Sequence, residues 1–461
     1  MRGIIVKIHR CGSTLALAVA LFAAPSWAQQ AGPITYVGFL KSEISRCDNC
    51  STGLVNPSTF DPRGVLSPPT PMVNQAGPSG YVNNFFGLAG LVIEANHEFD
   101  NAFAINAQVG GRARNRSNRA LQADIFGHYL TDVHVGVSHP KWGFLQIGQM
   151  PARVWSRPDS FAYPVGLSSP WAETGAGYGL LPQALRYDTP QFEFSFGKIR
   201  FEATVATAHT RQPLNPETAT ARAPKPWLAE GFIQYSNAKN LVELIYQQSR
   251  GGTQSSFAKG ALTGSIGNTE TEATAPGYRP PSENVLILEG THYPVDRVQL
   301  SYGLRRSDWS GQQQQCDFST KIANCFFDQG SFNYASDGRL HRAVTYDYFG
   351  GGTYGWRSWT FSAGGVLLNK AYTKTPTEYG QSNRAVFLNL GVYRKLPELS
   401  KNLEVYGGLG RIMFHRQGPA PLSMPNNTAD GGVDPRISKS GNTLTLGVTF
   451  RFGNGNTYVP P

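Results

Sequence analysis

From Asn442 to Phe452, Leu444, Leu446, Val448, Phe450 and Phe452 fall on one side of a two-residue repeat; Thr443, Thr445, Gly447, Thr449 and Arg451 fall on the other. A helix spaces its apolar positions three and four apart, so a period of two is that of a strand with one apolar and one polar face. The alternation recurs upstream. Phe103, Ile105, Ala107 and Val109 alternate with Asn106, Gln108, Gly110 and Arg112. Val133, Val135 and Val137 alternate with Asp132, His134 and Ser138, and Val298, Leu300, Tyr302 and Leu304 with Arg297, Gln299, Ser301 and Arg305. The pattern predicts sixteen strands near 34–44, 85–98, 102–113, 128–138, 143–149, 184–190, 198–208, 227–236, 241–249, 284–292, 297–307, 342–351, 357–368, 384–394, 402–413 and 442–452.

The connections between these strands alternate in length. Short ones are Phe99-Asp100-Asn101, His139 to Trp142, Ser236 to Asn240 and Tyr293 to Asp296, with two more at 352–356 and 395–401. Long ones, rich in Gly, Pro, Ser, Asn and Gln, lie at 45–84, 114–127, 150–183, 209–226, 250–283, 308–341, 369–383 and 414–441. Short turns at one end and long loops at the other are the habit of outer-membrane barrels, whereas a soluble sandwich has no reason to sort its loops this way. Lipid tolerates no unpaired sheet edge, so the sheet must close. The expected fold class is all-β: a 16-stranded antiparallel transmembrane β-barrel, a size that leaves an aqueous channel where eight strands would fill with side chains. Tyr129, Tyr187, Tyr235, Tyr246, Tyr348, Trp359 and Phe452 fall toward strand ends, where an interfacial girdle belongs.

Composition agrees with a barrel. The mean hydropathy is −0.30, the value of a soluble chain, yet charged residues are only 16% against ~25% in soluble domains. Strands with one greasy and one wet face give both at once. Arg2, Lys7 and Arg10, the small apolar run Ser13 to Ala24, and Ser26-Trp27-Ala28 read as a secretory signal over 1–28, leaving 29–461 as the barrel. The apolar run falls short of the ~20 residues of a spanning helix. The formal charge is +10, of which the leader removes three basic residues and no acid. No run of five basic residues occurs, so nucleic acid is not an expected partner.

Cys11 leaves with the leader, and Cys47, Cys50, Cys316 and Cys325 remain. An even number in an exported chain suggests two disulfides, with local pairing, Cys47 to Cys50 and Cys316 to Cys325, preferred. Ser51 follows the Cys-x-x-Cys where haem attachment needs His, and the second pair has the wrong spacing for a zinc ribbon. Zinc bridging of the two loops is the alternative. There is no G-x-S-x-G and no H-E-x-x-H, and Gly350-Gly351-Gly352 reads as a turn that glycine permits. No enzyme, cofactor or metal is expected.

Three stretches resemble the Gram-negative general-diffusion porins, most of all the beta-proteobacterial type. Val133 to Met150 resembles the family's strand, tight turn and strand ahead of the third long loop. Ala184 to Pro190 is similar to the strand that follows that loop, and Thr443 to Phe452 to the C-terminal strand. The chain departs from the family in continuing over 453–461, in its long first loop, and in lacking a clear acidic motif at Ser169 to Gly175. The resemblance implies a constriction loop, 150–183, folded into the lumen; a homotrimer in outer-membrane lipid and lipopolysaccharide; a periplasmic tail at 453–461; and Phe450 and Phe452 as the signal for the barrel-assembly machinery. It also implies a passive pore for small hydrophilic solutes or ions, with acids on the loop facing a basic wall. Alternation turns Arg112, Asp132, His134 and Arg186 inward and sets Arg114 near the rim; the loop supplies Arg153, Arg157, Asp159 and Glu173. The expectation is that Arg112, Arg114 and Arg186 face Asp159 and Glu173 and give the pore an anion preference. The competing readings are a pore specific for carboxylates or phosphate, and a plugged barrel that acts in surface binding.

Overall fold

The computed structural model describes residues 34–50, 80–116, 119–123, 129–157, 179–207, 227–250, 282–310, 343–369, 384–415 and 440–454. Eighteen strands form one sheet. They are β1 (Ile34–Cys50), β2 (Gly80–Glu98), β3 (Ala104–Arg116), β4 (Arg119–Ala123), β5 (Leu130–His139), β6 (Gly143–Pro151), β7 (Leu180–Asp188), β8 (Phe192–Phe194), β9 (Gly197–Thr207), β10 (Trp227–Ser236), β11 (Asn240–Arg250), β12 (Ser282–Val295), β13 (Val298–Ser310), β14 (Ala343–Trp356), β15 (Trp359–Leu368), β16 (Ala385–Lys395), β17 (Leu403–Phe414) and β18 (Ser440–Gly453). Two are accessory. β4 folds back on the outer end of β3, and β8 forms a tight hairpin with β9. The other sixteen pair antiparallel in sequence order, β3 with β5 and β7 with β9, and β18 pairs with β1 to close the ring.

All sixteen expected strands are present, most of them longer than the alternation indicated. β1 runs on to Cys50 and β2 starts at Gly80, so the two ends of the segment 45–84 are wall and not loop. β14 likewise continues through 352–356 to Trp356. Gly350-Gly351-Gly352 is therefore mid-strand and not a turn. A Cβ on Gly351 would lie 2.8 Å from the Ala363 carbonyl oxygen, so glycine serves close strand approach there. The connection 189–196, which holds β8, is a short one that alternation did not mark. The leader 1–28, most of 150–183, Cys316, Cys325 and the tail beyond Asn454 lie outside the described residues. Cys47 and Cys50 stand on the β1 backbone, where three residues of strand span about 10 Å. A disulfide needs Cα atoms within about 7 Å, so local pairing requires the chain to leave strand geometry at the register shift between these two residues.

The two faces are inverted relative to a soluble protein. Leu446 is 58% exposed and Thr445, beside it, 4%. Ile147, Val135, Leu300, Tyr302 and Leu390 are exposed outside, while Glu43, Thr204, Glu289, Ser301 and Asp347 are buried inside. Such an exterior is stable only where hydrocarbon replaces water. Aromatic side chains mark the short-turn end. Tyr187 donates its hydroxyl to the Trp142 carbonyl at 2.5 Å and Tyr235 to that of Phe196 at 2.7 Å, which holds both rings in the belt.

The seam between first and last strands has its own fastening. The Tyr36 backbone N–H donates to Asn454 Oδ1 at 2.8 Å, and the Asn454 N–H donates to the Tyr36 carbonyl at 3.0 Å. Phe450 and Phe452 stack at 6.4 Å on the outward face beside this fastening. Inside, Phe39 is fully buried and lies over Gly90, where a Cβ would come within 2.3 Å of its ring. Gly90→Ala is expected to destabilise the barrel by about 1–3 kcal/mol through overpacking, and Phe39→Leu to restore much of the loss. Denaturant midpoints of the two single variants and the double variant measure the coupling, and strictly additive effects would refute the contact.

Candidate functional site: a charged clasp on the inner wall

The loop after β6 does not leave the wall freely. Its neck closes where the Ala152 N–H donates to the Gly179 carbonyl at 2.9 Å. Beyond Ala152 the chain makes one helical turn, α1 (Arg153–Ser156), with Arg157 as its C-cap. So short a turn has little stability alone. It is held by Val154 and Trp155, both buried, and by three glutamates of the wall.

Glu230 on β10 accepts the Arg153 backbone N–H at 2.7 Å and that of Val154 at 3.2 Å. It thus takes the place of an N-cap side chain for α1, satisfying donors that a helix start leaves open. Glu202 on β9 receives Arg153 in a bidentate pair, with contacts of 2.8 and 2.5 Å. Glu243 on β11 receives Arg157 in the same manner, the Nε contact being 2.8 Å. Gln247 and Gln234 donate to the remaining lone pairs of Glu230 and Glu243. Arg186 on β7 completes the clasp. It donates to Thr204 at 2.9 Å and to the Pro151 carbonyl at 2.7 Å, and its Nε lies 3.1 Å from Glu202. Phe232 forms the floor, with the Arg153 and Arg157 guanidinium carbons 5.7 and 5.8 Å from its ring centre.

Every wall residue here comes from inward alternation. Glu202, Thr204, Glu230 and Glu243 are inward and buried, while Phe201, Val205, Ile233 and Leu244 on the same strands face outward. Closely matched hydrogen bonds are what make several buried charges tolerable.

Arg153, Arg157 and Arg186 are brought together; the other expected residues lie elsewhere or undescribed. Arg112 is inward and buried on β3, its guanidinium 5.5 Å from the Phe39 ring centre. Arg114 is two residues further, where β3 pairs with β4; its side chain is outside the described residues. Asp132 and His134 face the lumen on β5 and bond each other at 2.6 Å, with Gln108 donating to Asp132 at 2.7 Å. Asp159 and Glu173 lie outside the described residues. In the described part of the loop, Arg153 and Arg157 meet carboxylates of the wall, Glu202 and Glu243. Glu202, Glu230 and Glu243 carry no loop or motif signal, since they stand on the strands themselves. Their inward parity in 198–208, 227–236 and 241–249 was the available signal.

Two more charge groups line the wall. Arg305 pairs with Asp347 at 2.7 Å, and Asp347 also accepts the Asn369 N–H. Lys41 and Glu43 lie 3.4 Å apart, with the Tyr406 hydroxyl donating to Glu43 at 3.1 Å. Among the described residues no cluster of three His, Cys, Asp or Glu side chains could hold a metal ion.

No protein-family model matches the sequence, and no curated protein matches it. Solved structures do match in fold. An anion-selective porin from Comamonas acidovorans aligns with a TM-score of 0.53 at 13% identity, over 91% of this chain and 99% of that one. OmpT, an outer-membrane protein of Vibrio cholerae, aligns at 0.51 and 11%, over 92% and 99%. The outer-membrane channel DcaP of Acinetobacter baumannii aligns at 0.50 and 9%, over 91% and 97%. At these identities the likeness is one of fold, and the fold of this chain is that of a porin: a closed, 16-stranded antiparallel β-barrel.

Proposed function

We propose that the protein is a passive diffusion channel for small hydrophilic solutes and ions. The observation that carries this reading is the inverted barrel, with a polar inner face and a segment of its own chain pinned across part of that face. A helical turn fixed by two bidentate ion pairs and a carboxylate cap suits a constriction that must hold its shape while solutes pass. In this reading 1–28 is the export signal, Phe450 and Phe452 present the last strand to the assembly machinery, and the barrel works as a homotrimer in lipid and lipopolysaccharide. OmpT of Vibrio cholerae has a trimer form and aligns at a TM-score of 0.50. Planar-bilayer recordings of the refolded protein should give stable single-channel steps and a non-zero reversal potential in a salt gradient.

One observation favours a second reading. Glu243, Glu289, Ser307, Thr345 and Asp347 face inward yet have no exposed surface, which a wide open lumen would not give. A plugged barrel acting in surface binding fits that burial. Folded protein that gives no steps in the bilayer would select it. Saturable block by a carboxylate or phosphate would instead select a substrate-specific pore.

A further inference from the structure

The outer wall carries two cations at its short-turn end. β14 and β15 are joined by a two-residue turn, Arg357-Ser358, between the paired Trp356 and Trp359. Tight hairpin turns place Gly, Asn or Asp where φ is positive. Arg357 is at φ +55°, so local turn chemistry does not account for an arginine there. Its guanidinium carbon lies 5.1 Å from the Trp356 ring centre. That of Arg394, the cross-strand neighbour of Trp359, lies 5.2 Å from the Trp359 ring centre. Stacking covers a guanidinium's face and leaves its N–H edge to an acceptor. Arg357 is exposed, and among the described residues no carboxylate oxygen comes within 4.0 Å of it. Arg394 donates from Nη2 to Glu398 at 2.7 Å, an exposed pair that is cheaply shared with another acceptor.

Toward the bilayer centre the same face holds Tyr354 beside Phe361, then Gly352 beside Ala363, then Gly350 beside Gly365. The four small residues leave a groove two strands wide. Leu300 and Tyr302 of β13 stand along one flank and Leu388 and Leu390 of β16 along the other, all exposed. From Trp356 to Gly350 the groove runs about 20 Å along the strand, enough at a barrel's tilt to cross the ~15 Å of hydrocarbon in one leaflet.

We propose that this face binds an anionic glycerophospholipid, whose phosphodiester bridges Arg357 and Arg394 and one of whose acyl chains lies in the groove over Gly350, Gly352, Ala363 and Gly365. Arginine edges match phosphate oxygens in pairs, and basic residues at a membrane surface draw anionic lipid. The cations stand at the short-turn end, which outer-membrane barrels turn to the periplasm, so the lipid belongs to the periplasmic leaflet. The site depends on the exterior facing lipid and not on the channel reading.

Native mass spectrometry of the barrel in detergent, titrated with phosphatidylglycerol or phosphatidylcholine, counts the lipid bound to each chain. Each variant is scored on preparations that migrate as folded barrels in unheated gels. One phosphatidylglycerol should bind per chain, more tightly than phosphatidylcholine. A basic residue at a membrane surface is worth about fivefold in affinity, so Arg357→Gln and Arg394→Gln should each weaken phosphatidylglycerol binding about fivefold and together about twenty-five-fold. Lys239→Gln, which removes a cation from another short turn, should leave it unchanged. Gly350→Leu with Ala363→Leu fills the groove and should weaken both lipids; at Gly350 an added Cβ meets no atom closer than 4.0 Å. Phosphatidylglycerol binding that ignores both arginine changes would overturn the proposal. Displacement of the lipid by inorganic phosphate alone would overturn it in favour of a free-anion site. Groove-filled chains that keep their lipid but change oligomeric state would overturn it in favour of an interface between copies.

Discussion

Glu202→Ala should be among the most damaging single changes to this barrel, lowering stability by about 3–5 kcal/mol, the cost of stripping the partner from a buried charge. The change leaves Arg153 without its bidentate acceptor and removes the nearer of two carboxylates from Arg186. Glu202 also fixes the start of α1 against the wall, so the loop should loosen as well. Two readouts follow. The denaturant midpoint of the refolded protein should drop, and single-channel steps should become larger and noisier as α1 leaves the wall. Adding Arg153→Gln should recover part of the stability, because the charge left unmatched is then gone, but not the quiet steps. An unchanged midpoint with unchanged noise would mean that the clasp holds nothing in place.

The second large effect concerns sidedness. Leu446→Arg places a guanidinium on the lipid face of β18 and should cost ~2–4 kcal/mol near the bilayer midplane. Thr445→Arg, one residue away, turns the same side chain into the lumen and should cost much less. Refolding free energies in lipid vesicles measure the difference. Equal costs would mean that the exterior of the barrel is not facing hydrocarbon.

Local alternation made all sixteen strands readable because each strand must satisfy lipid on one face and water on the other. Their ends were less readable, because near the rim both faces meet water and the alternation fades. Thus β1 runs past Ile44 to Cys50 on backbone pairing with β2. The glycines of β14 misled for a different reason: three in a row signal a turn unless the opposing strand also offers glycine, and Gly364 supplies it across the ladder from Gly351. The inward direction of Arg112, Asp132, His134 and Arg186 followed from parity alone. The partnership of Arg153 with Glu202 and of Arg157 with Glu243 could not follow from parity, since it joins residues 49 and 86 positions apart. Only the closed ring and the inward turn of the loop bring these residues together.

The fastening of Asn454 to Tyr36 spans 418 residues, almost the whole chain. Contacts of that range form late, since a long loop must close before the bond rewards it. Until they form, β1 and β18 each carry a bare edge that lipid penalises at every unpaired N–H and C=O. A chain truncated anywhere before the last strand can never remove this penalty, however well its earlier hairpins have zipped. The ring is therefore a built-in check on completeness: stable residence in a bilayer is open only to chains that carry the last strand, and shorter fragments keep a bare edge.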